Sequence, residues 1–517
     1  MDETTNSMIS LFLAVFLAAT ASPKVLSTSL DPSSVSQQLA FYSLYPQTPE
    51  GQKALENAWK LLSGEKGQNP DTLKHLVTSS QSALNSVVAL VNKHPDEEKP
   101  QLTDTQLNLI EKLAQRLPHT KLKGHRALTE VEVLQLPPHE IDIARGLLLS
   151  QMGESPEALR SIRSYEAMID LMALQILVQA PFDSTPEQKI RAINHFIFDE
   201  LRFRFPPHSL YAKDIDLYTF LPSVLDSRQG VCLGVSILYA SLAQRLGLIL
   251  EAITPPGHIY LRWNDGSRVI NIETTARGID LESEVYLGID TRSLQVRNQK
   301  EMIGMAHFNQ ASLYWEEGEY AKAIAGYQKA EKYVDEDPLI TELLGYAYCL
   351  NDDEETGHAL LNKIKDHLPD HAVSKETLSE DILLGNVDKQ GIAVLFHRVD
   401  ETRESVLKKK EELEQILAKQ PNFRSGWFHL AVVWLQLHRN GEALEVLKKY
   451  HTMYPFDATA EYYLSQLYAE RLDFNQAWEH YRLAEQLTTS RNHYPKALKE
   501  LRRALAMQSP EYQKRES

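Results

Sequence analysis

The chain has 517 residues, of which 43% are hydrophobic and 24% charged, a composition typical of a globular protein with about three domains. Its 54 basic and 70 acidic residues give a formal net charge of −16, and the basic residues are dispersed, which excludes nucleic acid and acidic membrane surfaces as main partners. The two cysteines, Cys232 and Cys349, fall in different predicted domains, which excludes a disulfide framework.

The N-terminus carries an apolar stretch of about 14 residues from Met8, too short for a membrane span but suited to the core of a signal peptide. Ala19-Thr-Ala21 matches the small-residue cleavage pattern. Two acids and no base precede the stretch, so a cytoplasmic protein is the alternative. We predict a signal peptide over residues 1–22, export to the periplasm or the medium, and a flexible leader over residues 23–40. No other segment is expected to span a membrane.

Residues 41–182 show helical periodicity. Thr103-Asp-Thr-Gln106 is a capping-box pattern that opens a helix with one apolar stripe. Ser155-Pro156 places a proline at the first position of another helix. Thr185-Pro-Glu-Gln188 repeats the capping box, and the helix it opens leads into the next domain. We predict a helical region over 41–182 and assign no chemistry to it.

Cys232 follows Gly230 and opens an apolar run with helical spacing, which ends at Gly247. The sequence therefore predicts Cys232 in the first turn of a helix, where unpaired N–H groups and the positive end of the helix dipole favour a thiolate. A free cysteine is more often a small buried residue, so Cys232 alone does not establish chemistry.

Two alternating runs flank Asp265-Gly266, which is a strong signal for a β-hairpin. With these two residues as the loop, Leu261 faces Ile270 on an apolar face, and His258 faces Glu273 on the other face at about 5 Å between Cβ atoms. A carboxylate so placed can orient the imidazole, which in turn can polarise a thiol. An amphipathic hairpin with a surface histidine is the alternative interpretation.

The order of a cysteine at a helix start, Gly-His opening a strand, and an acid followed by threonine on the next strand resembles the transglutaminase-like core, a rearranged relative of the papain-like cysteine peptidases. The resemblance covers residues 183–295 and rests on Arg228, Gly230, Cys232, His258, Glu273 and Thr275. It implies an α+β core with a helix-borne cysteine, an antiparallel sheet and a Cys232–His258–Glu273 triad, although the superfamily usually has Asp where this chain has Glu273. Members of a similar bacterial subgroup often lack the cysteine, so its presence favours activity.

The C-terminal part repeats every 34 residues. Apolar and small residues recur at the same positions in units that start at Gly304, Pro338, Arg424 and 34 residues after Arg424, whereas residues 387–421 hold at most a degraded unit. The pattern resembles the tetratricopeptide repeat (TPR), whose helical hairpins stack into a solenoid with a concave surface. We predict a TPR array over residues 300–505 and a mainly α protein, with the aromatic residue at position 11 of each unit packed in the core.

The sequence contains no His-Glu-x-x-His pattern, no paired cysteines and no Gly-rich phosphate loop followed by Lys. His367 and His371 flank Pro369, which argues against one shared helix face, so we predict a solvated turn between repeats. Neither a metal nor a cofactor is expected. Cys349 lies in an apolar helical run and is interpreted as structural.

Two function classes follow. In the first, the chain is an exported cysteine-dependent acyl-transfer enzyme: Cys232 attacks an amide carbonyl, His258 takes and returns a proton, and Glu273 orients His258. The resemblance favours a peptidase or amidase over a cross-linking transglutaminase, and the array would position a polypeptide substrate or partner in its groove. In the second class, the core has lost its catalytic activity and the chain is a non-catalytic TPR scaffold. The intact triad favours the enzyme.

Overall fold

The computed structural model describes residues 22–64, 81–95, 97, 101–206, 218–400 and 402–509. The predicted signal peptide lies outside these residues except for Ser22. Among the described helices, none has both the length and the apolar character that a membrane crossing requires.

The chain forms two compact units, each built from separate stretches of sequence. The first comprises Met1–Arg204, Leu221–Gln229 and Ile237–Leu250, and the second comprises Phe205–Phe220, Gly230–Ser236 and Glu251–Ser517. This division does not follow the domain boundary predicted between residues 182 and 183. Residues 183–204, 221–229 and 237–250 of the predicted core belong to the first unit, and the helix starting at Cys232 therefore has its first turn in the second unit and its remainder in the first.

The described part of the first unit is helical. Its α-helices are α1 (Pro23–Ser27), α2 (Val35–Leu44), α3 (Pro49–Ser63), α4 (Gln81–Val91), α5 (Asp104–Ala114), α6 (Glu130–Gln135), α7 (Ile143–Met152), α8 (Pro156–Gln179), α9 (Pro186–Asn194), α10 (Leu221–Ser227) and most of α11 (Cys232–Arg245). A π-helical turn, His195–Glu200, continues α9.

The helix starts predicted at residues 103, 155 and 185 are confirmed. Thr103 and Thr185 each accept a hydrogen bond from the backbone N–H three residues on, and the glutamine there returns one, which completes both capping boxes. Ser155 caps α8 with Pro156 as its first residue. These side chains satisfy N–H groups that the first turn of a helix leaves without a partner.

The flexible leader predicted over residues 23–40 is wrong. The structure has α1 and the first part of α2 there, and Ser34 caps α2 by accepting a hydrogen bond from the Gln37 backbone N–H at 3.3 Å. Leu39 and Tyr42 of α2 are buried. The polar composition of the segment misled the prediction, because burial of these few apolar side chains stabilises the helix.

The second unit contains a four-stranded antiparallel sheet: β1 (Glu251–Thr254), β2 (Tyr260–Asn264), β3 (Val269–Ile272) and β4 (Gln295–Arg297), in the order β3-β2-β1-β4. The predicted β2–β3 hairpin is present, but its predicted register is wrong by two residues. Leu261 pairs with Ile272 and Trp263 with Ile270. A shift of two residues leaves every side chain on the face that was predicted for it.

The turn explains the register. Asp265 Oδ1 accepts hydrogen bonds from the backbone N–H groups of Ser267 at 2.9 Å and Arg268 at 2.8 Å, and the Asp265 N–H donates to the Arg268 carbonyl at 3.2 Å. The loop therefore has four residues and not two. An aspartate side chain that accepts hydrogen bonds from the backbone N–H groups two and three residues later stabilises a longer loop at the expense of a two-residue turn.

Helical hairpins follow the sheet. The helices are α12 (Gln299–Glu316), α13 (Tyr320–Glu331), α14 (Pro338–Leu350), α15 (Glu354–Ile364), α16 (Leu378–Leu383), α17 (Lys389–Phe396), α18 (Arg403–Lys419), α19 (Arg424–Gln436), α20 (Asn440–Met453), α21 (Ala458–Glu470), α22 (Phe474–Ser490) and α23 (Lys496–Gln508). The repeat units predicted from Pro338 and Arg424 begin where helices begin, and α21 starts 34 residues after α19. The region predicted to be degraded holds the short α17 paired with the longer α18.

The small residues of the repeat allow paired helices to approach closely. A Cβ added at Gly345 on α14 would lie 2.6 Å from the Leu361 side chain on α15. Ala431 and Ala443, on α19 and α20, are fully buried. The helical hairpins are thus TPR-like in their 34-residue spacing and in their packing.

The prediction that the position-11 aromatics belong to the core is wrong in part. Tyr314, Tyr348, Trp434 and Tyr468 are all half-buried. The Lys410 ammonium lies 5.4 Å from the centroid of the Trp434 ring, within the range of a cation–π contact. Trp434 and Tyr468 still pack against a buried cluster that includes Ala431, Ala443 and Leu464, so they belong to the edge of the core.

The segment between β3 and β4 is fixed to the helical array within the second unit. Val373 N–H donates to the Asp290 carbonyl at 2.9 Å, and Arg292 N–H donates to the His371 carbonyl at 2.9 Å. Ile289 is buried in a cluster that contains Val373 and Trp478. The turn around His371 therefore packs against Asp290–Arg292, whereas His367 is exposed, so the prediction of a solvated turn is wrong for His371 only.

Candidate active site

Cys232 is the first residue of α11 and is half-buried. The helix start is held from two sides: Val231 N–H donates to the Tyr218 carbonyl at 3.3 Å, and the Thr274 hydroxyl donates to the Cys232 carbonyl at 3.4 Å. The same hydroxyl lies 2.9 Å from Ser236 Oγ. Since Thr274 directly follows Glu273, these bonds tie the cysteine to the end of β3.

His258 and Glu273 lie at the open ends of the hairpin, just before β2 and just after β3. They are not direct partners in the observed register, but they are on the same face, and His258 Nε2 lies 2.7 Å from Glu273 Oε2. The side chain of Glu273 is 4% exposed and that of His258 is 23% exposed. The glutamate is therefore the buried anchor of the pair, and its extra methylene relative to aspartate spans the diagonal.

Both oxygens of the Glu273 carboxylate are engaged. Oε1 accepts hydrogen bonds from the Thr275 backbone N–H at 3.1 Å and from the Thr275 hydroxyl at 2.6 Å. Oε2 accepts a short hydrogen bond from the Tyr286 hydroxyl in addition to the contact with His258. A carboxylate with this many donors is held in one orientation and stays ionised.

The electrostatics of the pair favour an ion pair at neutral pH. Burial disfavours the charged imidazole, but hydrogen bonds to Cys232 and to Glu273 outweigh it and raise the pKa of His258 from 6.5 to about 9. Burial likewise disfavours ionised Glu273, but hydrogen bonds from His258, Thr275 and Tyr286 lower its pKa from 4.5 to about 2. His258 is thus cationic and Glu273 anionic across the physiological range.

His258 connects the thiol to the carboxylate. Its Nε2 is hydrogen-bonded to Glu273, and the Cys232 side chain is close enough to contribute to the raised pKa of the imidazole. An imidazolium next to a half-buried sulfur at a helix start is an environment that stabilises a thiolate nucleophile.

The structure brings the three predicted site residues together in the second unit. Thr275 supports Glu273. Arg228 belongs to the first unit, where Nη1 donates to the Leu201 carbonyl at 3.3 Å and Nη2 donates to the Lys93 carbonyl, so its contacts are structural. Tyr286 was not predicted from the sequence, because it lies in a short 3-10 turn, Ser283–Tyr286, with no periodic pattern to reveal it.

Cys349 has a different environment. It is buried on α14, and burial raises the pKa of its thiol to about 11. A Cβ added at Gly357 on α15 would lie 2.4 Å from its sulfur, so the thiol fills a close helix–helix contact. Such a thiol is a poor nucleophile near neutral pH, in line with the structural role inferred for it.

In two groups of described side chains the possible ligand atoms lie close enough together to hold a metal ion. The groups are His119, His125 and Asp142, and His451, Glu461 and His480. In the second group His451 Nδ1 and His480 Nδ1 lie 2.5 and 2.7 Å from the Glu461 oxygens. These are hydrogen-bond lengths, whereas two ligands of one tetrahedral zinc ion lie about 3.3 Å apart. This group fits a proton-mediated network better than a metal site.

The first group already contains its own cations. Arg245 is fully buried, donates to Asp170 at 2.6 Å and lies 3.8 Å from Asp142. Burial disfavours the charged form of His125, but its hydrogen bond to Asp142 outweighs this and raises the pKa of His125. The Arg245 guanidinium already provides a positive charge next to the Asp142 carboxylate, which leaves little reason for a metal ion to bind there.

Comparisons with known proteins find relatives of the part of the chain that contains this site. Residues 163–302 match the family described as the transglutaminase-like superfamily. Over 121 residues the chain is 31% identical to F-box only protein 21 of Mus musculus and, to the same degree, of Homo sapiens. The matched stretch is 23% of this chain and 17% of each relative, so the chain spans less than a fifth of the length of these relatives.

Solved structures of helical-repeat proteins are also similar. A MamA structure from Desulfovibrio magneticus RS-1 is 15% identical, with a TM-score of 0.19 over 36% of this chain and 96% of that chain. TTC0263, a TPR protein of Thermus thermophilus, is 15% identical, with a TM-score of 0.20 over 40% of this chain and 98% of that chain. The residues matched by the family include Cys232, His258 and Glu273. Residues 163–302 are a domain of the transglutaminase-like superfamily.

Proposed function

We propose that the chain is a cysteine-dependent acyl-transfer enzyme whose nucleophile is Cys232. The observation that carries this proposal is the position of His258, which is hydrogen-bonded to the buried Glu273 at 2.7 Å and whose pKa is raised by the neighbouring Cys232 side chain as well as by Glu273. A merely structural histidine needs one partner to orient it. An imidazole between a thiol and a buried carboxylate has the arrangement of a nucleophile, a base and an orienting acid.

The proposed reaction has two halves. The Cys232 thiolate attacks the carbonyl carbon of an amide, and as the C–N bond breaks, the His258 imidazolium gives its proton to the departing amine, which leaves a thioester on Cys232. Water then attacks the thioester carbonyl while neutral His258 takes a proton from it. The products are a carboxylic acid and the regenerated thiolate–imidazolium pair. Glu273 keeps its charge throughout and stabilises the imidazolium.

We propose hydrolysis of a polypeptide amide, by a peptidase or amidase, in preference to transfer to an amine. The TPR-like hairpins support a polypeptide partner, because such arrays present extended surfaces that bind proteins. The bonds that Asp290 and Arg292 make to the turn around His371 support a fixed placement of the array relative to the triad. Export of the chain is part of the proposal and rests on the N-terminal sequence alone.

The test is to incubate the full chain and its Cys232→Ala variant with a peptide library derived from a digested proteome. Mass spectrometry distinguishes new termini, which report peptidase activity, from conversion of Gln or Asn to the acid, which reports amidase activity. Added dansylcadaverine reports transfer to an amine. The proposal expects a hydrolysis product that Cys232→Ala and His258→Ala both abolish. Identical product profiles for the full chain, Cys232→Ala and His258→Ala would favour the non-catalytic scaffold.

A further inference from the structure

Tyr286 contacts both halves of the His258–Glu273 pair. Its hydroxyl donates to Glu273 Oε2, and its ring stacks on the His258 imidazole with 5.6 Å between centroids and 27° between planes. The Tyr286 ring also stacks on Tyr260, at 5.1 Å and 17°. Tyr286 therefore stacks on two rings of the hairpin, one of which is the candidate general base.

The segment that carries Tyr286 is bound to the polar face of the hairpin. Arg262 Nη2 donates to Ser283 Oγ at 2.9 Å and to the Tyr260 hydroxyl at 3.1 Å. Asn271 Nδ2 donates to the Leu281 carbonyl at 2.6 Å. Arg262 and Asn271 are directly paired across the hairpin. These bonds hold residues 281–286 over the sheet and leave Tyr286 little freedom to leave the stack.

From this arrangement we infer that Tyr286 is a positioning residue of the Cys232 site. This inference rests on the proposed function. The hydroxyl fixes the Glu273 oxygen that faces His258, and the ring covers one face of the imidazole, which excludes water and prevents the ring from rotating away from the sulfur. Tyr286 touches neither the sulfur nor a substrate carbonyl in this mechanism, so its effect passes through His258.

Two properties of the site make this role physically necessary. His258 is 23% exposed, so its bond to Glu273 competes with water on the open side. An ion pair that is shielded by an aromatic ring is stronger than one that is open to solvent. Moreover, Thr275 holds only Oε1 of Glu273, and without the Tyr286 hydroxyl the other oxygen has His258 as its one remaining partner among these contacts.

The experiment measures the rate at which iodoacetamide alkylates Cys232 in the full chain, resolved by mass spectrometry of the Cys232 peptide between pH 6 and 9. Tyr286→Phe removes the hydroxyl and keeps the stack, while Tyr286→Leu removes both. The matched control is Tyr481→Phe, since Tyr481 also donates to a glutamate, Glu485 at 2.7 Å, but on α22. Each variant is made with His258 intact and with His258→Ala, which gives a double-mutant cycle. Protection of Cys349 in the same samples reports that the array remains folded.

We expect Tyr286→Phe to slow alkylation at pH 6.5 by roughly 3- to 10-fold and Tyr286→Leu by more, with Tyr481→Phe unchanged. In the His258→Ala background, Tyr286→Phe should change the rate by less than about 2-fold. An equal slowing in both backgrounds, or none with His258 intact, would overturn the inference. If His258→Ala alone left the rate unchanged, the proposed function itself would fail, so the two failures are distinguishable.

Discussion

His258 Nε2 lies 2.7 Å from Glu273 Oε2, and the carboxylate is the more buried of the two side chains, at 4% exposure against 23%. The anchored partner is therefore the acid, which is fixed by Thr275 and Tyr286, and the imidazole is the partner with access to solvent. This asymmetry suits a triad, because the group that must exchange protons is accessible and the group that orients it is not.

Glu273→Gln should make protonated His258 less stable while it keeps a hydrogen-bond acceptor close to Nε2. We expect the pKa of His258 to fall from about 9 toward 6.5, by roughly one to two pH units, because a neutral amide stabilises an imidazolium much less than a carboxylate does. NMR titration of the His258 ring measures this directly. An unchanged pKa in Glu273→Gln would mean that the carboxylate does not control the imidazole.

The pair should also contribute to stability over a defined pH range. The pKa of His258 is raised on folding, so its contribution is complete below about pH 6.5 and is lost as the pH rises through about 9. The pKa of Glu273 is lowered on folding, so its contribution is complete above about pH 4.5 and is lost as the pH falls through about 2. We expect Glu273→Gln to cost about 2 kcal/mol in the free energy of unfolding between pH 4.5 and 6.5, and less at pH 10. A cost that rises above pH 7 would contradict this account.

The hairpin shows what the sequence could and could not predict. Alternation of apolar and polar residues predicted the two strands and the face that carries His258 and Glu273, because the side-chain period of a strand is fixed at two residues. It did not predict the register, because the loop length depends on the hydrogen bonds that the Asp265 side chain accepts from the backbone N–H groups of Ser267 and Arg268. The error was an even number of residues, so the two side chains still lie on one face, although they meet on a diagonal.

Residues outside periodic segments were harder to predict. The 34-residue repeat identified helix starts such as Pro338 and Arg424, because small residues recur where paired helices touch. Tyr286 was missed because it reaches Glu273 from a short turn, where its contacts depend on the tertiary path of residues 281–286. The helix from Val35 was missed for a related reason: its stability comes from burial of Leu39 and Tyr42, which composition does not reveal.

A buried ion pair in the first unit should be sensitive to the loss of one partner. Arg145 donates to Glu166 through Nε at 2.8 Å and through Nη2 at 2.5 Å, and both side chains are nearly inaccessible. We expect Arg145→Ala to destabilise the protein by about 3–5 kcal/mol, since it leaves the Glu166 charge buried and unpaired. The control is Arg163→Ala, whose partner Glu111 is exposed, with an expected cost below about 1 kcal/mol. Equal costs in urea unfolding would contradict this reasoning.

Ile289 should hold the segment between β3 and β4 to the helical array. Its side chain is 8% exposed and lies in the cluster with Val373 and Trp478. We expect Ile289→Ala to cost about 2–4 kcal/mol through lost burial and the cavity that remains. Val296→Ala is the matched control, because Val296 is 52% exposed on β4 and should change stability by less than about 0.5 kcal/mol. If Ile289→Ala and Val296→Ala both had the denaturation midpoint of the wild type, the packing of Ile289 against Val373 and Trp478 would not contribute to stability.

Activation of Cys232 by His258 is the property on which the proposed function depends most. Cys349 is an internal control for this activation. Burial raises the pKa of its thiol to about 11 and keeps it unreactive near neutral pH. The decisive measurement is the ratio of iodoacetamide alkylation rates at Cys232 and Cys349 at pH 6.5, in the wild type and in His258→Ala. We predict that the wild-type ratio is large and that His258→Ala lowers the Cys232 rate by at least about 10-fold without changing Cys349. Equal rates at the two cysteines, or a Cys232 rate indifferent to His258, would contradict this activation.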